Sequence, residues 1–274
     1  MSDNVMYDSA RRIHPVLEEL RELFNYRELI LQLVRRDVLT RYKRSVLGIA
    51  WTLLNPLGMM LVLTLAFSQI LRFDTVYGYA AFVLSGLVAW NFISQSTTAA
   101  MVNLVWGGGL LSRIYIPRAS FALAAIGTGL VNILLALVPL LFVNLITSVP
   151  ITPAFLFVPV PLLLLACFSL GIGLLISTMA VYFPDVAEMY QIVLSAWFYL
   201  TPIIYPLEAL PEELQFWINL NPTTQLLNLF RLAVYLGRLP AWAELWPSLT
   251  ISLLTLLLGW VFFTRKSNEF GYRI

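Results

Sequence analysis

The sequence predicts an all-α integral membrane protein with six transmembrane helices, an N-terminal amphipathic interface helix and two short re-entrant outer helices before the last span. Hydrophobic residues make up 59% of the chain and charged residues 12%, with a mean hydropathy of +0.81. That leaves too little polar material to coat a soluble globule of 274 residues. From Ala119 to Pro184 no side chain is charged. A single helix of that length would run roughly 100 Å against about 30 Å of bilayer hydrocarbon, so the segment crosses, turns at the proline-bearing patch Asn144 to Pro153, and returns. Charge-free windows recur on both sides of this hairpin, from Ser45 to Leu71, within Thr75 to Ser112, from Met189 to about Tyr205 and from Leu245 to Thr264.

Taken in order, residues 1–45 form a cytoplasmic N-terminal segment and residues 46–274 a six-helix transmembrane domain. Within the first, Pro15 to Arg44 reads as a helix, because Val16, Leu20, Leu23, Phe24, Ile30, Leu33, Val34 and Val38 recur at spacings of three and four. Acidic residues sit in its early half and basic ones in its late half, as the helix dipole favours. It is expected to lie on the inner membrane surface with its basic residues toward lipid headgroups. No apolar stretch of signal-peptide type precedes it, so the first span is expected to direct insertion. The spans are placed at about 47–71, 79–101, 119–146, 154–180, 187–203 and 245–264. An even number puts both termini on one side. With that side cytoplasmic, fourteen of the 17 Lys and Arg residues face inward, and only Arg72, Arg231 and Arg238 face outward. The pI near 8.7 reflects this asymmetry, and no basic-aromatic constellation suggests nucleic acid.

Two connecting segments are more than loops. In the cytoplasmic stretch about 102–118, Gly107-Gly108-Gly109 breaks the second span, and a short amphipathic run follows that ends at Pro117. Leu110, Leu111, Ile114 and Tyr115 are its candidate anchors for a groove on a soluble partner. In the outer loop, Leu226 to Leu236 is apolar but too short to cross, which reads as a re-entrant or interfacial helix. Irregular backbone at that depth needs protein or a water-filled cavity around it, so a pathway wall is expected there.

The chemistry expected of a membrane enzyme is sparse. The spans carry no ionisable residue in their interiors, His14 is the only histidine, and Cys167 is the only cysteine and sits among apolar residues. Asp185 and Glu188 share a helical face at the inner mouth of the fifth span and suit a structural or capping role better than a metal. They are the only candidate acids for the alternative reading, a membrane enzyme acting on polyprenyl-linked sugars. There is no phosphate-binding Gly-rich loop with its Lys, and no set of buried charges for a coupling ion. Energy for transport would therefore enter from another subunit. Aromatic side chains are abundant at 14%, and Trp51, Phe67, Trp90, Tyr190, Trp197, Phe198 and Tyr199 lie within or beside spans. Rings at span ends commonly form interfacial belts. They also stack on the C–H faces of sugars, so the seven are candidate channel aromatics.

The run Arg35 to Pro56, leading from a basic helix into the first span, resembles the membrane subunit of type-2 ABC exporters for O-antigen polysaccharide and teichoic acid. So do the loop Arg113-Ile114-Tyr115-Ile116-Pro117-Arg118, the inner-mouth Tyr182-Phe183-Pro184-Asp185, the run Pro202-Ile203-Ile204-Tyr205-Pro206 and Asn221-Pro222. Many relatives carry arginine between the aromatic and the aspartate where Pro184 stands. The resemblance covers essentially the whole chain. It implies a homodimer in the bacterial cytoplasmic membrane, bound to two ATPase subunits that hold ATP and Mg, exporting a polysaccharide on an undecaprenyl-diphosphate lipid for the cell envelope. It implies no cofactor and no catalytic residue in this chain. On it, residues 16–36 map to the interface helix, Leu104 to Tyr115, including Arg113, to the ATPase-coupling helix, and 206–236 to the outer gate helices. The channel would run between protomers, lined by the first, second and fifth spans. Arg41, Lys43, Arg44, Arg113 and Arg118 would gather at the inner entrance, where arginine suits a lipid diphosphate or anchors lipid headgroups.

Overall fold

The computed structural model describes residues 15–42, 47–48, 50–67, 75–106 and 116–272. Its elements are helices, with no strand among the described residues. In chain order they are α1 (Pro15–Asn25), α2 (Arg27–Tyr42), α3 (Ala50–Phe67), α4 (Tyr79–Trp106), α5 (Ala119–Ile146), α6 (Pro159–Tyr182), α7 (Val186–Leu200), α8 (Glu212–Leu220), α9 (Pro222–Val234) and α10 (Trp242–Lys266). Short 3-10 turns occupy Pro153–Phe157, Leu207–Ala209 and Ser267–Tyr272. The α3, α5 and α10 helices and the stretch Pro153–Tyr182 are each long and apolar enough to cross a membrane. The 28-residue α4 is long enough but carries a polar face. The 15-residue α7 reaches only about 22 Å, short of the hydrocarbon thickness.

A central bundle of α4, α5, α6 and α10 holds the core, with α4 against α5 and α6, and α10 against α6. The α6–α10 crossing is close because both helices present glycine there. A Cβ at Gly171 would run into the backbone of Thr255 and Leu256, and one at Gly259 into the backbone of Gly171. Small residues at such crossings let backbones approach where no hydrophobic force drives helices together in lipid. Leu165, Phe168, Phe230 and Phe263 are wholly enclosed. Leu134, Val138 and Phe142 of α5 and Leu253, Leu257 and Leu258 of α10 face outward, as lipid-facing surfaces require.

Two poles bound the bundle. At the basic pole, Lys266 Nζ lies 3.1 Å from Glu269 Oε1, and the Tyr182 hydroxyl donates to Glu269. Phe270 is enclosed against Phe263 and Tyr182. The N-terminal helix expected as one element is two, α1 and α2, meeting at Tyr26, although ladder bonds continue through the turn from Tyr26 N–H to Glu22 O and from Ile30 N–H to Tyr26 O. The α2 helix packs on α5, where Val34 fills the space left by Gly127, and Leu33 is buried. One face of this segment therefore rests on protein, while Phe24, Leu31 and Leu39 stay exposed.

At the far pole, α9 starts as its sequence dictates. The Asn221 side chain accepts from the Thr223 N–H, and Pro222 occupies the first helical position, where its missing N–H costs nothing. The helix ends before Gly237, whose φ of +63 is left-handed. The start of α10 is held by Arg238, which forks onto Glu244 at 2.9 and 2.6 Å while the Ala241 N–H donates to Glu244 Oε2. The bond that Arg238 donates to Glu244 holds the arginine's pKa above its ordinary value.

Candidate translocation groove

Because α3 leans on α4 and α5 while the short α7 touches α4 and α6 only along an edge, the four leave an open groove between them. Its volume is about 1070 Å³, and its wall runs from Gly48 and Trp51 near the basic pole to Phe198 and Tyr199 toward the far pole. Helical spacing of three and four aligns Asn91, Ser94, Gln95 and Thr98 on one face of α4. Gln191 and Ser195 of α7 line the groove, as do Asn55 of α3 and Asn132 of α5.

Four of the seven candidate channel aromatics, Trp51, Trp90, Phe198 and Tyr199, line this groove. Trp90 packs edge-on against Phe198 at 5.8 Å, and Phe198 against Tyr199 at 5.2 Å, so rings line its far end. The other three do not line it. Tyr190 turns into the core and donates its hydroxyl to Thr97 Oγ1 at 2.7 Å. Phe67 packs on the central cluster. Trp197 sits behind Trp90 at 6.2 Å and donates Nε1–H to Asn221 Oδ1 at 2.9 Å, which ties the ring cluster to the start of α9. Within α7 the helical period sorts the faces, with Gln191, Leu194, Ser195 and Phe198 at spacings of three and four along the groove and Tyr190 and Trp197, seven apart, turned away from it, but the sequence does not say which face meets the groove.

Of the entrance candidates, Arg118 lies at the basic pole with its guanidinium 5.5 Å from the Phe270 ring. Arg41 falls in the last turn of α2. Lys43, Arg44 and the coupling residues Leu110, Leu111, Arg113, Ile114 and Tyr115 lie outside the described residues. Asp185 precedes α7 without a side-chain cap bond, and Glu188 falls in its first turn. The described residues contain no cluster of three or more potential metal ligands.

Two short helices, α8 and α9, stand where the re-entrant outer pair is expected, and they differ in burial. Leu214, Phe216, Trp217 and Leu220 of α8 are exposed, whereas α9 is largely enclosed. Within α9 stands Arg231, which by sequence is only one of three basic residues on the outer face. Its guanidinium is buried at 5% exposure. It donates to Pro202 O at 2.6 Å, Ile203 O at 3.0 Å, Phe82 O at 3.2 Å and Ser85 Oγ at 3.3 Å, and lies 3.8 Å from the Phe82 ring centroid. These bonds lock α9, α4 and the turn after α7 together. The signal was present in the sequence, for an arginine inside an apolar stretch is expensive unless its donors are met.

Fold and groove together define a helical membrane protein of transporter type. The chain belongs to the ABC-2 type transporter family, whose profile matches residues 28–235. It is similar to the O-antigen export system permease protein RfbA of Myxococcus xanthus, at 28% identity over 93% of this chain and 98% of that protein. Similarity extends to the capsule polysaccharide export inner-membrane protein CtrC of Neisseria meningitidis, at 24% over 91% and 95%. The polysialic acid transport protein KpsM of Escherichia coli is 24% identical over 82% and 88%.

Proposed function

We propose that this chain is the membrane permease of an ATP-driven exporter that carries an undecaprenyl-diphosphate-linked polysaccharide across the bacterial cytoplasmic membrane. The observation that carries the reading is the groove walled by rings and uncharged polar side chains, in a member of a transporter family whose similar proteins are named for O-antigen, capsule and polysialic acid export. The permease works as a homodimer, with the groove of each protomer facing the shared path, and two ATPase subunits supply the energy. Six spans place both termini in the cytoplasm, in line with the Lys and Arg asymmetry. On that reading α4 crosses because its polar face looks into the groove, and α7 completes its crossing through the turn at Thr201 to Tyr205. The loop around Leu110 to Tyr115 seats on the ATPase, Arg41, Lys43, Arg44, Arg113 and Arg118 receive the lipid diphosphate, and α8 and α9 form the outer gate. No catalytic residue is assigned to this chain.

The test is co-purification with the ATPase encoded beside it, followed by hydrolysis assays in lipid with and without lipid-linked glycans. A stable complex whose hydrolysis responds to a glycan is expected. Leu111→Asp with Ile114→Asp should abolish that assembly, and full assembly and export with both changes would defeat the coupling role.

A further inference from the structure

The groove wall has a chemical character of its own. Among the described residues it contains no Asp, Glu, Lys, Arg or His. Six carboxamides line it instead: Asn55 from α3, Asn91, Gln95 and Asn103 from α4, Asn132 from α5 and Gln191 from α7. Asn91 to Asn103 extends about 18 Å along α4 at 1.5 Å per residue, long enough to meet several sugar units at once. The side chains of Asn91, Gln95 and Gln191 carry no hydrogen bond to another described residue, so their capacity faces the groove.

A carboxamide offers two N–H donors and a carbonyl acceptor without net charge. It therefore matches a hydroxyl, which both donates and accepts, and it tolerates many orientations as a chain slides past. Rings at both ends, Trp51 at one and Trp90, Phe198 and Tyr199 at the other, provide flat apolar surfaces. A polymer bearing a carboxylate or phosphate in each repeat would bring several anions into this wall together. With helices and lipid around it and no cation among its described residues, the wall would return only neutral dipoles for the lost hydration. Hydroxyl-rich neutral sugars meet no such penalty.

We infer that the groove is selective for a polysaccharide of uncharged sugars and discriminates against polyanionic glycans, with the six carboxamides as its specificity-determining side chains. The inference rests on the export reading above and names the cargo class of that same groove. The only charge the route handles is then the lipid diphosphate, which passes once for each polymer rather than once for each repeat.

The permease and its ATPase, reconstituted in vesicles, test this with two undecaprenyl-diphosphate-linked glycans of matched length, one of neutral hexoses and one with alternating uronic acids. Translocation is read by protection from an added glycosidase. The neutral glycan is expected to cross at least about tenfold faster, the effect of 1.4 kcal/mol. Equal or faster passage of the acidic glycan overturns the selectivity and leaves the export function standing. If neither crosses, both the export reading and the inference fall. Gln95→Lys places a cation on the wall at an exposed position and should cut the preference severalfold, whereas Gln95→Met, which adds no charge, should slow neutral passage without admitting the acidic glycan. An unchanged ratio in an assembled Gln95→Lys complex also counts against the assignment.

Discussion

Replacing Arg231 with methionine keeps the length of the apolar stem but removes the guanidinium donors that join α9 to α4 and to the turn at Pro202 and Ile203. The guanidinium makes bonds of 2.6, 3.0 and 3.2 Å to three backbone carbonyls. Hydrogen bonds from charged groups are worth about 1.5–3 kcal/mol each, and the contact with Phe82 at 3.8 Å adds up to about 2 kcal/mol where water is excluded. Against these gains stands the cost of burying the cation, several kcal/mol. The variant is relieved of that cost but leaves the Pro202 and Ile203 carbonyls without this donor, at about 1–3 kcal/mol apiece, while Phe82 O keeps the Ser85 hydroxyl. The lost bonds and ring contact, less the burial cost relieved, leave a loss of roughly 3–5 kcal/mol. At about 2–4 °C per kcal/mol for a chain of this size, the purified protein should unfold on the order of 10 °C lower. Arg231→Lys should lose roughly half as much, since an ammonium has three donors and no planar face to stack. Thermal unfolding in detergent, with limited proteolysis across 201–221, reads both effects. Wild-type unfolding and cleavage in Arg231→Met would refute the claim that this residue locks the far pole.

The α6–α10 crossing makes a second prediction: Gly259→Ala would force its methyl into the Gly171 backbone and destabilise by about 1–3 kcal/mol, as overpacking does. Resistance to denaturation by SDS measures it, and an unaltered midpoint would contradict the close approach. Asn221→Ala removes the acceptor of the Trp197 indole and the Thr223 N–H together with the donor to Leu200 O. A loss of about 2–3 kcal/mol follows from the cap and the orphaned partners. Asn221→Asp, which keeps the acceptor, should lose less, and identical unfolding of the two variants would argue against the cap.

Much of the architecture was legible in the sequence because a bilayer imposes lengths and charges that composition must obey. The hairpin of α5 and α6, the last span α10 and the two short helices before it all follow from apolar runs and their interruptions. The N-terminal segment was legible as helix but not as a packed one. Its periodicity reports an apolar face without saying whether lipid or α5 covers it, and Gly127 decides that only once Val34 is brought beside it. The aromatic candidates divided for a similar reason. Trp90 and Phe198 face the groove while Trp197 reaches back to Asn221, a partner 24 residues away in sequence.

The sequence alone determined that this chain lives in a membrane, which segments can cross, and that the interiors of its spans carry no charged residue, because transfer of apolar and charged groups out of water depends on composition and length. Tertiary structure decided what those neutral residues build. Asn55, Asn91, Asn132 and Gln191 come from four different helices and share one wall only because α7 is short and stands away from the bundle. Arg231 likewise reads as an outer-loop charge until the carbonyls of Phe82, Pro202 and Ile203 converge on it. Burial of a cation is affordable only where distant segments supply its acceptors, and no local pattern encodes that convergence.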